Sequence, residues 1–126
     1  LVGAGKLIDP AQIALVGVSP RQRARQTFQL LFDENEQIVL KNKVTLTEDL
    51  TEWDYGDYEG LLVNEIVQLR QTRGLDLNHP YNIWRDGCEG GESSHQVTLR
   101  LDRLIMQIRE IQAPYMHGEK PINVVL

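Results

Sequence analysis

Cysteine is almost missing from this chain: Cys88 is the single one among 126 residues. An internal disulfide is therefore excluded, and a reducing, cytoplasmic setting is the default reading. Positive charge is also scarce. Thirteen Lys and Arg face eighteen Asp and Glu, a net charge of −5, which argues against nucleic acid or an anionic membrane surface as the main partner. No apolar run is long enough to cross a bilayer, and no signal peptide is visible. Internal repeats, low-complexity segments and a domain boundary are lacking too. The length suits one compact α/β domain, although a short one for a full-sized active-site cleft. An initiating Met is absent, and the chain stops at Leu126 inside an apolar run, so it reads as an internal fragment.

Several kinds of site are missing as well. No glycine-rich run ends in Lys-Ser or Lys-Thr, so there is no P-loop. Val2-Gly3-Ala4-Gly5 lacks the third glycine of a dinucleotide-binding turn and is read as the tail of a helix. A cysteine phosphatase needs an arginine six positions after Cys88, where Ser94 stands. His79, His95 and His117 are scattered and read as surface or loop histidines rather than as ligands of a metal.

What is present centres on Ser19-Pro20-Arg21-Gln22-Arg23-Ala24-Arg25-Gln26-Thr27. It follows Ile13–Val18, an apolar run expected of a strand buried on both faces of a parallel sheet. Ser19 as N-cap and Pro20 as first helical residue predict a helix from this point. Ala24, Phe28, Leu31 and Phe32 form its inward stripe. A helix N-terminus is electropositive, yet its first turns hold Arg21, Arg23 and Arg25. That conflict disappears if an anion such as phosphate sits among the N–H groups and guanidinium forks. Arg21 and Arg25 are read as solvated; Arg23, beside Ala24 and nearest the buried side, as the anion ligand.

Asp33 to Gln37 reads as an acidic connection, and Lys41 to Leu50 as a second strand with alternation around Val44 and Leu46. Leu50 to Gly60, four carboxylates interleaved with three aromatic rings, is a loop. Asp54 and Asp57 are read as solvated. Glu52 follows a strand end, where open α/β sheets place ligands, and the charge of a bound phosphate favours its protonated form, which suits a proton donor. Leu61 to Arg73 carries a helical stripe through Leu62, Ile66 and Leu69, with Gly74 as C′ residue. Asp76 to Gly91 is a long ordered loop, either a lid with Arg85 as a second phosphate contact or an inert excursion packed down by Trp84. Ser93 and Gln96 match a capping box, and Val97, Leu101, Leu104, Ile105, Ile108 and Ile111 form a stripe expected in the core. Ile122 to Leu126 begins a buried strand.

Three motifs now stand in order: Ser19-Pro20-x-x-Arg23-Ala24-x-x-Thr27, Leu50-x-Glu52-x-x-x-Gly56-x-x-Glu59-Gly60, and Gly91-Glu92-Ser93. Together they resemble the histidine phosphatase (phosphoglycerate mutase-like) superfamily across nearly the whole chain. The wording of residues 52–60 and 82–89 is similar to its fungal sedoheptulose-1,7-bisphosphatase branch. The resemblance implies a three-layer α/β/α phosphoglycerate mutase-like fold, incomplete at both ends. It further implies a phosphatase of sugar bisphosphates in pentose phosphate metabolism, free of metal and cofactor, acting through a phosphohistidine. Arg23 would clamp the phosphate, Glu52 would protonate the leaving alcohol and then activate water, and Tyr55 would contact the ligand. The Arg-His-Gly strand that bears the nucleophile and the segment with the second histidine are expected outside residues 1–126, and none of the three histidines matches either. The fragment alone is expected to be inactive. A phosphoglycerate mutase-type phosphotransferase and a non-catalytic phospho-ligand module stay as alternatives, as does a homo-oligomer.

Overall fold

In the computed structural model, which describes residues 8–118 and 120–126, the chain packs as two units. One comprises Leu1–Thr51 with Leu101–Leu126, the other Glu52–Arg100. The helix tail expected around Val2–Gly5 lies outside the described residues.

The first unit is built on strand β1, Ile13–Val18. It is the middle strand of a parallel sheet of order β2-β1-β3, flanked by β2, Val44–Leu46, and β3, Asn123–Val125. The pairing sets Val16 opposite both Val44 and Val125. A central parallel strand has neighbours on both edges and helices over both faces, which is why its sequence is apolar throughout. Over one face packs helix α1, Gln22–Leu31, whose Ala24, Phe28 and Leu31 join the buried cluster of Ile13, Val16, Val18, Phe32 and Leu40. Phe28 and Phe32 meet with ring centroids 5.4 Å apart. On the other face, Leu15 shares a cavity with Leu104 and Ile111 of helix α5, Ser94–Gln112.

Three expectations fail in this unit. Helix α1 begins later than Ser19-Pro20 suggests: the backbone is still extended at Arg21, which occupies the N-cap with no side-chain bond. The segment 33–37 is not a connection but the start of helix α2, Glu34–Leu40. Asp33 Oδ1 accepts from the Glu36 N–H at 2.9 Å while Glu36 Oε2 accepts from the Asp33 N–H at 2.9 Å, a reciprocal cap that an Asp-x-x-Glu spacing encodes. The second strand is only three residues long, because Thr47 Oγ1 accepts from the Asp49 N–H and turns the chain into a 3₁₀ turn at Glu48–Leu50.

In the second unit, helix α3 spans Val63–Thr72 and α4 spans Ile83–Asp86. Glu65 accepts from the Leu62 N–H at the start of α3, and Gly74 closes it at φ +72°. Ser93 and Gln96 cap α5 reciprocally, as their spacing predicts. The apolar stripes fare less well. Leu62 is exposed, and the buried member of α3 is Arg70. Of the six stripe positions on α5 only Leu104 is buried, and Ile105 is 49% exposed. A helix of nineteen residues is about 28 Å long, more than a three-stranded sheet about 10 Å across can cover.

Phe32, 1% exposed at the centre of the cluster, carries the first prediction: Phe32→Ala costs about 3–5 kcal/mol, read as a lowered urea midpoint with unchanged slope.

Candidate functional site

The end of β1 opens into a cavity of about 440 Å³ lined by Val18, Ser19, Arg23, Ala24, Thr27 and Leu50, among others. Of the three arginines in the stretch, Arg23 lines it, whereas Arg25 lies with Gln22, Gln26 and Gln29 along a separate polar depression. Thr27 Oγ1 donates to the Arg23 carbonyl at 2.9 Å, tying the first turn of α1 to the second. The Ser19 hydroxyl, released from the expected capping role, is buried and makes no hydrogen bond. A buried hydroxyl left in that state costs about 1–3 kcal/mol.

Glu52 begins the second unit and is exposed. The two residues after it are held by Glu92. The Trp53 indole N–H donates to the Glu92 carbonyl at 2.9 Å, the Asp54 N–H to Glu92 Oε2 at 3.0 Å, and the Glu92 N–H to the Asp54 carbonyl at 2.8 Å. Arg100 grips the same carboxylate through Nε and Nη2, at 2.8 and 3.1 Å, and holds it below the usual carboxylate range. Two glycines let the backbones come this close. A Cβ on Gly91 would strike the Asp54 carbonyl, and one on Gly56, at φ +53°, would strike the Gly91 nitrogen. The Cys88 thiol is buried in the same segment, and burial raises its pKa.

Tyr55 is half-buried and lines a cleft in the second unit together with Tyr58, Tyr81 and Trp84. Beneath them runs an ionic network that the sequence pattern does not announce. Arg70 donates through Nε and Nη2 to Asp76 at 2.7 and 2.6 Å and through Nη1 to the Tyr58 hydroxyl at 2.8 Å. Tyr58 in turn donates to Glu89 Oε2 at 2.9 Å. The Arg70 guanidinium also lies 4.5 Å from the centre of the Tyr81 ring, a favourable cation–π distance. One signal does exist in the chain: Arg70 lies four positions after Ile66, on the face otherwise taken by apolar residues.

Arg85 is exposed and bound at home. It donates to Asp86 through Nε and Nη2, at 2.8 Å each, and to the Pro80 carbonyl at 2.6 Å, and it holds the Asp86 carboxyl down at about 2. Trp84 does not pack this loop down, since it is 70% exposed with an edge contact to Trp53. His79 is brought near Asp76 and Asp86, their ligand atoms lying within 4.8 Å of one another. Both carboxylates already have arginine partners, so a dication there would meet two positive charges.

Asp76, Asp86 and Glu92 all have lowered pKa values. Their stabilising effect is complete above the ordinary carboxylate range and is lost as pH falls toward about 2, where Asp86 titrates. We expect Arg70→Met to reduce the stability gained between pH 2 and pH 5, followed by near-ultraviolet circular dichroism in urea. Glu92→Ala strands the buried Arg100 and costs about 3 kcal/mol; a change below about 0.5 kcal/mol would show that the clamp contributes nothing.

The sequence profile of the histidine phosphatase superfamily (branch 1) matches residues 3–118. A sedoheptulose 1,7-bisphosphatase of Saccharomyces cerevisiae is 47% identical over 122 residues, covering 96% of this chain and 45% of that protein. An acid phosphatase of Mycobacterium tuberculosis is 36% identical over 105 residues, covering 83% and 42%. The chain thus spans about half the length of the curated relatives it matches. Among solved structures, an alpha-ribazole phosphatase from Shigella flexneri superposes with a TM-score of 0.57 at 23% identity, covering 97% of this chain and 55% of that one. The product of an open reading frame of M. tuberculosis superposes with a TM-score of 0.50 at 28% identity, covering 97% and 53%. The fold is the α/β type of the phosphoglycerate mutase-like proteins, and the chain belongs to branch 1 of the histidine phosphatase superfamily.

Proposed function

We propose that the protein carrying this chain hydrolyses a sugar bisphosphate, preferentially sedoheptulose 1,7-bisphosphate, without a metal and in a reducing cytoplasm. The observation that carries the phosphate-binding half of this reading is that Arg23, alone of three neighbouring arginines, lines the cavity at the end of β1. The substrate is suggested by the 47% identity to the yeast enzyme. No helix among the described residues is long and apolar enough to cross a membrane.

In this reading a histidine from outside the 126 residues attacks phosphorus, the ester P–O bond breaks, and Glu52 gives its proton to the departing alkoxide. The Glu52 carboxylate then takes a proton from water, whose oxygen attacks the phosphohistidine and frees inorganic phosphate. Arg23 binds the phosphoryl oxygens throughout, the charge-assisted contact best suited to an anion whose charge grows in the transition state. Tyr55 touches the sugar. Arg85 adds a weaker second contact from the guanidinium edge not turned to Asp86. Since the nucleophile comes from elsewhere, residues 1–126 alone turn nothing over.

Phosphate release from a panel of sugar bisphosphates and monophosphoglycerates tests the assignment. Release from the bisphosphates supports it, whereas interconversion of phosphoglycerates without release identifies a mutase, and binding without either identifies a non-catalytic module. Glu52→Gln should lower kcat by about 10²–10⁴ with little change in KM. Arg23→Ala should damage both. Small, equal effects of the two changes on kcat would contradict the roles assigned to these side chains.

A further inference from the structure

The cleft of the second unit is not explained by phosphate chemistry. Its volume is about 550 Å³, within the range of small-molecule sites. Four aromatic rings share its walls with aliphatic side chains such as Ile66 and Ile83: Tyr58 is 3% exposed, Tyr55 and Tyr81 are half-buried, and Trp84 stands toward solvent. Among the described residues no lysine or arginine lines it, and Glu59 is its one carboxylate. The two nearby guanidinium groups face other partners, Arg70 on Asp76 and Tyr58, Arg85 on Asp86 and Pro80. A phosphate would therefore find a carboxylate and no counter-charge on the walls of this cleft.

Trp84 is the informative residue. Its ring is largely exposed, yet its backbone is fixed at both ends: the N–H donates to Asn82 Oδ1 at 2.9 Å, and the carbonyl accepts from the Ser94 hydroxyl at 2.7 Å. A large apolar ring exposed to water on a fixed backbone, in edge contact with Trp53, is a platform that gains by being covered. Rigid aromatic faces take the C–H faces of a carbohydrate, and a single carboxylate at the mouth accepts from its hydroxyl groups. Tyr55 joins this cleft to the acid. It lies three residues after Glu52, so the two Cα atoms are at most about 10 Å apart, roughly the span of a sugar chain.

On the reading of the chain as part of a sugar phosphatase, we propose that this cleft binds the uncharged polyhydroxy body of the substrate, the part that departs as the alcohol, with Trp84 as its stacking platform and Glu59 as its hydroxyl acceptor. The cleft then selects substrates by their neutral portion, and any second phosphate is seated elsewhere.

The test uses the whole protein and two phosphomonoesters, one of a heptose or hexose and one, methyl phosphate, with no body to fill the cleft. The readout is the ratio of the two kcat/KM values. Trp84→Ala should lower that ratio about tenfold, Glu59→Gln should lower it less, and Trp84→Phe should restore most of it. A ratio unmoved by Trp84→Ala, because both substrates suffer alike or neither does, overturns the proposal. Independently, the dephosphorylated sugar should change tryptophan fluorescence in the native protein and not in Trp84→Phe. If neither ester is hydrolysed, the phosphatase reading fails, and the fluorescence titration still decides the cleft: saturable binding of the neutral sugar upholds it, and its absence removes it.

Discussion

Within the second unit, the carboxylate of Glu92 is the point at which distant parts of the sequence are fastened. Through its two oxygens it joins the Arg100 guanidinium to the backbone of Asp54, and through its own main chain it takes up the Trp53 indole and the Asp54 carbonyl. A loop of four carboxylates and three aromatic rings has no repeating backbone bonds of its own, so its conformation depends on such outside partners. The pairing works because both backbones are bare where they meet, at Gly56 and Gly91. The Gly-Glu-Ser motif and the glycine of the acidic loop are thus two halves of one joint.

The same unit shows how an acidic chain manages its arginines. Arg70, Arg73, Arg85 and Arg100 each reach a carboxylate within 2.9 Å. The pairs differ in weight. Arg73, with Asp57 and Glu89, is open to water and stabilises little. Arg70 and Arg100 are buried, so removing either partner strands a charge. In the first unit Arg103 reaches Asp49 at 2.7 Å, the first turn of the arginine stretch on α1 holds no acidic residue, and Arg23 borders a cavity.

Much of this is legible in the chain, and the reasons differ by element. Strand β1 can be read because a run apolar on both faces has few other uses, and α5 can be started correctly because Ser93 and Gln96 form a local cap. Glu52 falls in a loop, as expected, but six residues past the end of β2 with a 3₁₀ turn between, not directly after a strand. Helix α2 escapes a reading by composition although its Asp33-x-x-Glu36 cap is just as local, because acidic content masks the spacing. Ser19 misleads because a serine before a proline is a good N-cap only if the backbone turns there, and it stays extended through Arg21. Arg70 and the exposed side of α5 lie beyond sequence pattern. One is an ion in an apolar stripe with its counter-ion six residues on, and the other is an apolar stripe that outruns the sheet beneath it.

Cys88 gives the second unit an internal clock. It is the only thiol in the chain, it sits in the segment that Glu92 closes, and its N–H donates to the Glu92 carbonyl. Burial keeps it largely as the unreactive thiol at neutral pH. A thiol reagent will therefore label this chain at a rate set by how often the joint between the two loops parts, and labelling by mass spectrometry measures the free energy of that opening with no probe added.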